Sequence, residues 1–405
     1  MASEPGLPFA DARAEEQRDD VLSESARPHL IWSLTEGVGP ILYTRILEHF
    51  GSASEALDAP ARALEQIRGV GRSSSDRIVA TRGADAAGRE IERARSLGVR
   101  ILCREDADYP EGLRRIPDAP IVLYVRGDVT RADTLALAVV GSRRCSIYGS
   151  EQARRFGELL AGAGFTVVSG LARGVDAFAH HGAVDAGGRS IAVLGSGLRE
   201  AYPPENRPLA ERLLTSGAWI SELPLDVPVR AENFPSRNRI IAGMTLGTLV
   251  VEAAQRSGAL ITARLAGEYN REVFALPGRL DEPMACGTNA LIRDGAAKLV
   301  TGLDDILAEL GDVGRLMAPD EPERPPPAAA SVTNEGLLAA ARLTDVEERV
   351  YAAIEATPTP QDRVLATADV GAGETLAALT SLELKGLIRR LPGHLVARRD
   401  AGRSR

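Results

Sequence analysis

Seven apolar runs, spaced so that a helix fits between each and the next, limit what this chain can become. They are LALAVVG (135–141), FTVVSG (165–170), SIAVLGSG (190–197), AWISEL (218–223), GTLVVEA (247–253), REVFALPG (271–278) and KLVT (298–301). Each is rich in valine, isoleucine and leucine without strict alternation, the pattern of strands buried on both faces. Parallel strands need long crossovers. The intervals here suffice, and EQARRFGELLAGAG (151–164) is the clearest helical segment among them. The expectation is an α/β fold with a doubly wound, mainly parallel sheet. Ahead of it, VRILC (99–103) and IVLYVRG (121–127) predict an added strand pair around YPEGL (109–113).

At 405 residues the chain exceeds one such domain, and two or three are expected. Residues 1–28 are acidic and lack an apolar h-region, so they read as a disordered tail and not as a signal peptide. Residues 29–97 read as a helical domain. There GVGP (37–40) precedes ILYTRILEHF, and IRGVGRSSSDRI (67–78) repeats the arrangement. A glycine turn entering a helix is how a helix-hairpin-helix module offers backbone N–H groups to a phosphate; a bundle that only packs or binds protein fits the same pattern. The α/β domain is placed at 98–311. APDEPERPPPAAA marks 312–342 as a proline-rich linker. Residues 343–399 read as helix, turn, longer helix and an apolar pair around Pro392 and Gly393, the order of a winged helix that binds duplex DNA or docks protein.

The charge is acidic overall, −8, yet carried on the basic side almost wholly by arginine: only Lys298 and Lys385 are lysines. Such a balance argues against a general polyanion binder and leaves room for a local basic cleft. In an open parallel sheet ligands bind beyond the carboxyl ends of the strands. Those ends carry GSRRCSIYG (141–149), SGLARGVDAFAHH (169–181), GSGLREAYPPENR (195–207), EAAQRSGALITAR (252–264) and PGR (277–279). Arg143, Arg144, Arg173, Arg199, Arg237, Arg239, Arg256 and Arg279 are therefore expected on one edge. NFPSRNRIIAG (233–243) sharpens the point, because Arg237 and Arg239 read as part of a helix's first turn, where cations are disfavoured unless something negative sits nearby.

Other chemistries fit less well. The first turn is GSRRC and not G-x-G-x-x-G, which argues against a dinucleotide cofactor. Ser169 lies outside a G-x-S-x-G elbow, Asp176 and His180 form an i,i+4 pair on one helix, and Cys145 follows two arginines that would lower its pKa, though a buried or incidental thiol fits the position better. Cys103, Cys145 and Cys286 are widely separated and form no disulfide framework, consistent with a cytoplasmic protein. No His, Cys and carboxylate group has metal-ligand spacing in sequence, so neither metal nor cofactor is expected. No apolar run is long enough to cross a membrane.

Taken in order, YPEGL, VVGSRRCSIYG, VVSGLARGVDAFAH, AVLGSGL, YPPENR, NFPSRNRIIAG, VVEAAQRSGALITA and PGRLDEPMACGTNALIRDGA resemble the DNA processing protein A (DprA/Smf) family from about residue 30 to 399. That resemblance implies a non-enzymatic protein. An extended Rossmann-like domain binds single-stranded DNA, forms a homodimer and helps load the RecA recombinase during DNA uptake and natural transformation. By position it implies strand-binding roles for Ser142, Arg143, Gly170, Arg173, Asn233, Phe234, Arg237 and Arg239. Arg173 stands where many relatives have lysine; arginine can also meet a phosphate, with two prongs. Phe234 would offer a ring for a base to stack on, or else plug the loop from below. A rival reading is enzymatic: LGTLVVEA (246–253) is similar to the G-G-x-G-T-x-x-E loop of nucleoside-monophosphate phosphoribohydrolases, with Glu252 as the acting carboxylate, although AGMT before it leaves the glycine cradle incomplete.

Overall fold

In a computed structural model, which describes residues 21–311, 343–354, 359–385, 387–391 and 395–398, every run named above becomes a strand. The strands are β1 (Val99–Cys103), β2 (Val122–Gly127), β3 (Ala136–Val140), β4 (Thr166–Ser169), β5 (Ser190–Val193), β6 (Ala218–Ser221), β7 (Gly247–Val250), β8 (Glu272–Ala275) and β9 (Lys298–Leu299). They form one nine-stranded sheet in the order β1-β2-β6-β5-β4-β3-β7-β8-β9. From β6 through to β9 all neighbours are parallel, while β2 pairs antiparallel with both β1 and β6. The added strand pair thus extends one edge. Tyr109 of YPEGL is buried beside it and donates its hydroxyl to the Pro120 carbonyl at 3.0 Å.

The absence of alternation has a direct cause. Along β3, Ala136, Ala138 and Val140 enter one core while Leu137 and Val139 enter another, so both faces of the strand are apolar. The helices Asn233–Gly243 and Gly258–Glu268 cover the first face, and Ile147–Gly162 and Val175–Asp185 cover the second. Their arrangement sets the position of the site. The chain leaves β3 for a helix on one face to reach β4, and leaves β7 for a helix on the other face to reach β8. A crevice must open where these paths diverge, beyond the carboxyl ends of β3 and β7.

The helical N-terminal segment follows the glycine signals, with helices Pro40–Phe50 and Arg72–Thr81 starting after Gly39 and Gly71. It does not form a core of its own. Leu30, Trp32, Tyr43 and Ile46 share one apolar cluster with Ile101, Tyr124 and Trp219 of the sheet. The first compact unit accordingly runs through residue 319, and a second covers 320–405.

The second unit contains helices Asp345–Ala352, Gln361–Thr367 and Ala372–Leu384 with strands β10 (Thr359–Pro360), β11 (Ile388–Leu391) and β12 (Leu395–Arg398) in the order β10-β12-β11. This is a winged helix around Val350, Ile354, Val364, Leu379 and Leu382. Its first helix starts on a capping box in which the Thr344 side chain accepts from Glu347 N–H and the Glu347 carboxylate accepts from Thr344 N–H. Residues 1–20 of the expected tail, the expected linker 312–342, and Pro392 and Gly393 lie outside the described residues.

Candidate nucleic-acid interface

Beyond the ends of β3 and β7 lies a cleft of about 530 Å³ lined by Ser142, Arg143, Arg144, Phe234, Arg256 and Ser257, among others. Local hydrogen bonds fix its walls. Ser142 N–H donates to the Glu252 carbonyl at 2.8 Å, which stitches the loop after β3 to the end of β7. The Ser142 hydroxyl accepts from Arg144 N–H at 3.0 Å, and that turn projects the Arg143 and Arg144 side chains outward. On the opposite wall Ser257 caps the helix Gly258–Glu268, its hydroxyl accepting from Ala259 N–H at 3.3 Å.

Two carboxylates of the protein itself hold backbone N–H groups along this edge. Glu252 accepts from Ser146 N–H at 2.8 Å and from the Ser146 hydroxyl at 2.5 Å, while Ser146 caps the helix Ile147–Gly162. A Cβ at Gly149 would come within 2.2 Å of the Glu252 carboxylate, which accounts for glycine there. Asp176, fully buried, accepts from Gly170 N–H at 3.2 Å and Ala172 N–H at 3.4 Å. Burial pushes its carboxyl above the usual range, against the pull of Arg237 and of these N–H donors. His180 is not its partner: the ring meets the Ser190 hydroxyl at 2.7 Å, and burial holds its pKa down to about 3. Burial also pushes the Cys145 thiol up, away from the reactive range.

The arginines expected on this edge divide into three groups. Arg143, Arg144 and Arg256 are exposed and, among the described residues, have no carboxylate within 4.0 Å. Arg173, Arg199 and Arg279 are exposed but paired, with Glu205, with Asp226 at 3.2 Å and with Asp281 at 2.8 Å. Arg237 and Arg239 are only 5% and 7% exposed. Arg237 Nη1 donates to the carbonyls of Gly170 at 2.7 Å and Val193 at 2.6 Å, and burial lowers its pKa to about 10, still charged at neutral pH. Arg239 points away from the cleft, to the Glu222 carboxylate and the Asp118 carbonyl, with its Nε 3.7 Å from the Asp118 carboxylate. Burial in turn raises the Glu222 carboxyl, which Arg239 opposes.

These contacts correct the sequence reading of the 233–243 stretch. The helix begins at Asn233 and not after Pro235, so both arginines stand in its second turn. The negative groups they need are already present, as carbonyls and carboxylates of the protein. Gly170 is likewise internal: it is buried, both its backbone groups are bonded, and a Cβ there would lie 2.0 Å from Arg237 Nη1. Asn233 is half-buried, with its amide Nδ2 out of solvent and unbonded among the described residues. Phe234 is half-buried too, with two guanidiniums over its ring, Arg143 at 4.6 Å and Arg237 at 5.7 Å from the centroid. Arg256 and the Ser257 cap complete the cleft. The S-G pair ahead of ALITARLAGE was the available sign of that helix start.

Comparison with known proteins agrees with this architecture. Residues 100–311 match the family model of DNA recombination-mediator protein A, and 321–394 match the DprA winged helix domain. The chain is 35% identical to protein Smf of Synechocystis over 390 residues, covering 91% of this chain and 98% of that one. It is 44% identical to Escherichia coli protein Smf over 298 residues, covering 72% and 76%. The X-ray structure of DNA processing protein A from Streptococcus pneumoniae superposes with a TM-score of 0.61 at 33% identity, covering 70% of this chain and 97% of that one. An extended Rossmann-like sheet, a crevice at its switch point and a winged helix thus accompany a sequence match along most of the chain, which belongs to the DNA recombination-mediator protein A (DprA/Smf) family.

Proposed function

We propose that the cleft binds single-stranded DNA without sequence preference, and that the chain, as a cytoplasmic homodimer, helps load the RecA recombinase during DNA uptake and natural transformation. The observation that carries this reading is the set of three exposed, unpaired arginines, Arg143, Arg144 and Arg256, lining one cleft with the half-buried ring of Phe234. Unpaired guanidiniums in a chain of net charge −8 are suited to phosphate, and a partly exposed ring is suited to a base. Membership of a DNA recombination-mediator family supports the same choice.

Within that reading the family-derived residues take different parts. Ser142, Arg143, Asn233 and Phe234 belong to the strand-facing wall. Arg173 joins it by exchanging Glu205 for a phosphate. Gly170, Arg237 and Arg239 act from beneath, by fixing the loops. The enzymatic reading is disfavoured because both oxygens of Glu252 are engaged by Ser146 at the start of a helix. We assign DNA binding to residues 98–311, with 29–97 as its helical companion, 312–342 as linker and 343–399 as a separate module. Deletion of 320–405 then leaves most single-strand affinity intact.

Fluorescence anisotropy with labelled oligo-dT and a duplex of equal length tests the reading. A flexible strand can place phosphates on several loops while its bases stack, so single strands bind more tightly. Equal affinity, or a preference for duplex, overturns it. Light scattering at micromolar concentration checks the homodimer, and a strict monomer there contradicts that part.

A further inference from the structure

Away from the cleft, the contact between the N-terminal helices and the sheet brings His29 to Cys103 and Glu105, a group of three metal-ligating side chains. His29 lies on the helix Ala26–Leu34, Cys103 ends β1, and Glu105 follows in the next turn. One ligand-capable atom from each lies within 4.8 Å of the other two. We propose that His29, Cys103 and Glu105 bind a zinc ion, with water in the fourth position, and that the ion ties the N-terminal helices to the edge of the sheet.

The donor set suits that metal. Zinc takes imidazole nitrogen, thiolate sulfur and carboxylate oxygen in a tetrahedron, and its bond lengths imply ligand separations of about 3.3–3.8 Å. His29 Nε2 already lies 3.4 Å from Glu105 Oε1. The rest of the contraction falls to Glu105, which has the room: its side chain is 63% exposed, whereas His29 and Cys103 are buried. Exposure on that one side also gives the ion a path in.

The surroundings orient the ligands as an outer shell should. His29 Nδ1 lies 2.5 Å from the Tyr43 hydroxyl, and Tyr43 is itself buried. With Nδ1–H donated to that oxygen, Nε2 presents its lone pair to the metal. The Cys103 N–H donates to the Asp106 carboxylate at 2.7 Å, which closes the turn that brings Glu105 back over the sulfur. On binding, the thiol proton leaves to solvent and a thiolate–zinc bond forms. Thiolate and carboxylate then balance the charge of the ion, so the half-buried site carries no net charge. The ion would connect residue 29 to residue 103, where the N-terminal helices and the sheet share one apolar cluster.

The full-length protein, stripped with chelator, is titrated with Co²⁺ as a spectroscopic probe and with Zn²⁺ against a chromophoric chelator. One equivalent binds, with a thiolate-to-cobalt charge-transfer band, and zinc raises the thermal midpoint as a native-state ligand does. Cys103→Ser removes the band, while the pair Cys145→Ser and Cys286→Ser retains it. Because Cys103 is buried, Glu105→Gln provides the variant that leaves the fold untouched: zinc affinity falls by at least about tenfold with the metal-free melting curve unchanged. Absence of the band in the wild-type protein, its survival in Cys103→Ser, or wild-type zinc affinity in Glu105→Gln overturns the proposal.

Discussion

The 233–243 helix and the loops after β3 and β7 both carry arginines at the edge of the sheet, yet the two regions do opposite things with them. In the helix, Arg237 and Arg239 are buried and their donors are taken by Gly170, Val193, Glu222 and Asp118. In the loops, Arg143, Arg144 and Arg256 are exposed and unpaired among the described residues. A buried charge is tolerated only when it is bonded and compensated. The helix arginines meet that condition by holding loop ends together, and so spend their charge inside the molecule. What remains for an outside anion is the charge on loops beside Glu252 and Asp176, two carboxylates already committed to backbone N–H groups.

Substituting the buried member most severely breaks this comparison if it is wrong. Arg237→Ala leaves two carbonyls unbonded and strips Asp176 of its nearest counter-charge. Loss of one partner from such a buried set costs about 3–5 kcal/mol, so the urea midpoint of the first unit falls sharply. A stable, folded Arg237→Ala protein that only loses DNA affinity would move Arg237 into the strand-facing group.

Phe234 meets both groups, with Arg143 and Arg237 each over its ring. Phe234→Ala is expected to lower single-strand affinity by about 1–3 kcal/mol, alike for all sequences, with little change in the salt dependence, since stacking releases few counterions. A large drop in urea midpoint with unchanged affinity would make the ring a plug beneath the loop instead.

The smallest effect is one of pH. His180, whose pKa is held to about 3 by burial with His181 and Arg237 adding to it, has an ordinary value of 6.5 in the unfolded chain. Below pH 6.5 the unfolded state binds the extra proton, so stability falls as pH drops from 6.5 towards 3. The slope from this one group is at most about 1.4 kcal/mol per pH unit, and less between 6.5 and 5.5. Urea melts over that window for wild type and His180→Gln should differ by this slope; parallel curves would mean that the ring is not kept neutral.

The sheet was legible because its cause is local. Strands buried on both faces read as unbroken apolar runs, and glycine turns with crossover-length intervals order them. The crevice follows from that order alone, and Arg143, Arg144 and Arg256 follow from where the strands end. Partners are different. Arg239 meets Asp118, 121 residues away, and Arg237 meets Gly170, 67 residues away. No periodicity carries such pairings, so a helix rich in arginine looked like a waiting anion site. The same limit hid Glu252 as a cap for Ser146, 106 residues distant, and the grouping of His29 with Cys103.

The division of labour among the arginines is tested most directly by the salt dependence of oligo-dT affinity, measured by anisotropy for Arg143→Ala, Arg256→Ala and Arg239→Ala. Each phosphate contact to a single strand contributes a slope of roughly −0.7 in log affinity against log salt. Arg143→Ala and Arg256→Ala should each flatten the slope by up to about that amount while the urea midpoint stays near wild type. Arg239→Ala should leave the slope of the remaining folded protein unchanged and lower the urea midpoint, because it leaves Glu222 buried without its partner. The reverse pattern, a flattened slope for Arg239→Ala with wild-type slopes for the two loop variants, would contradict it.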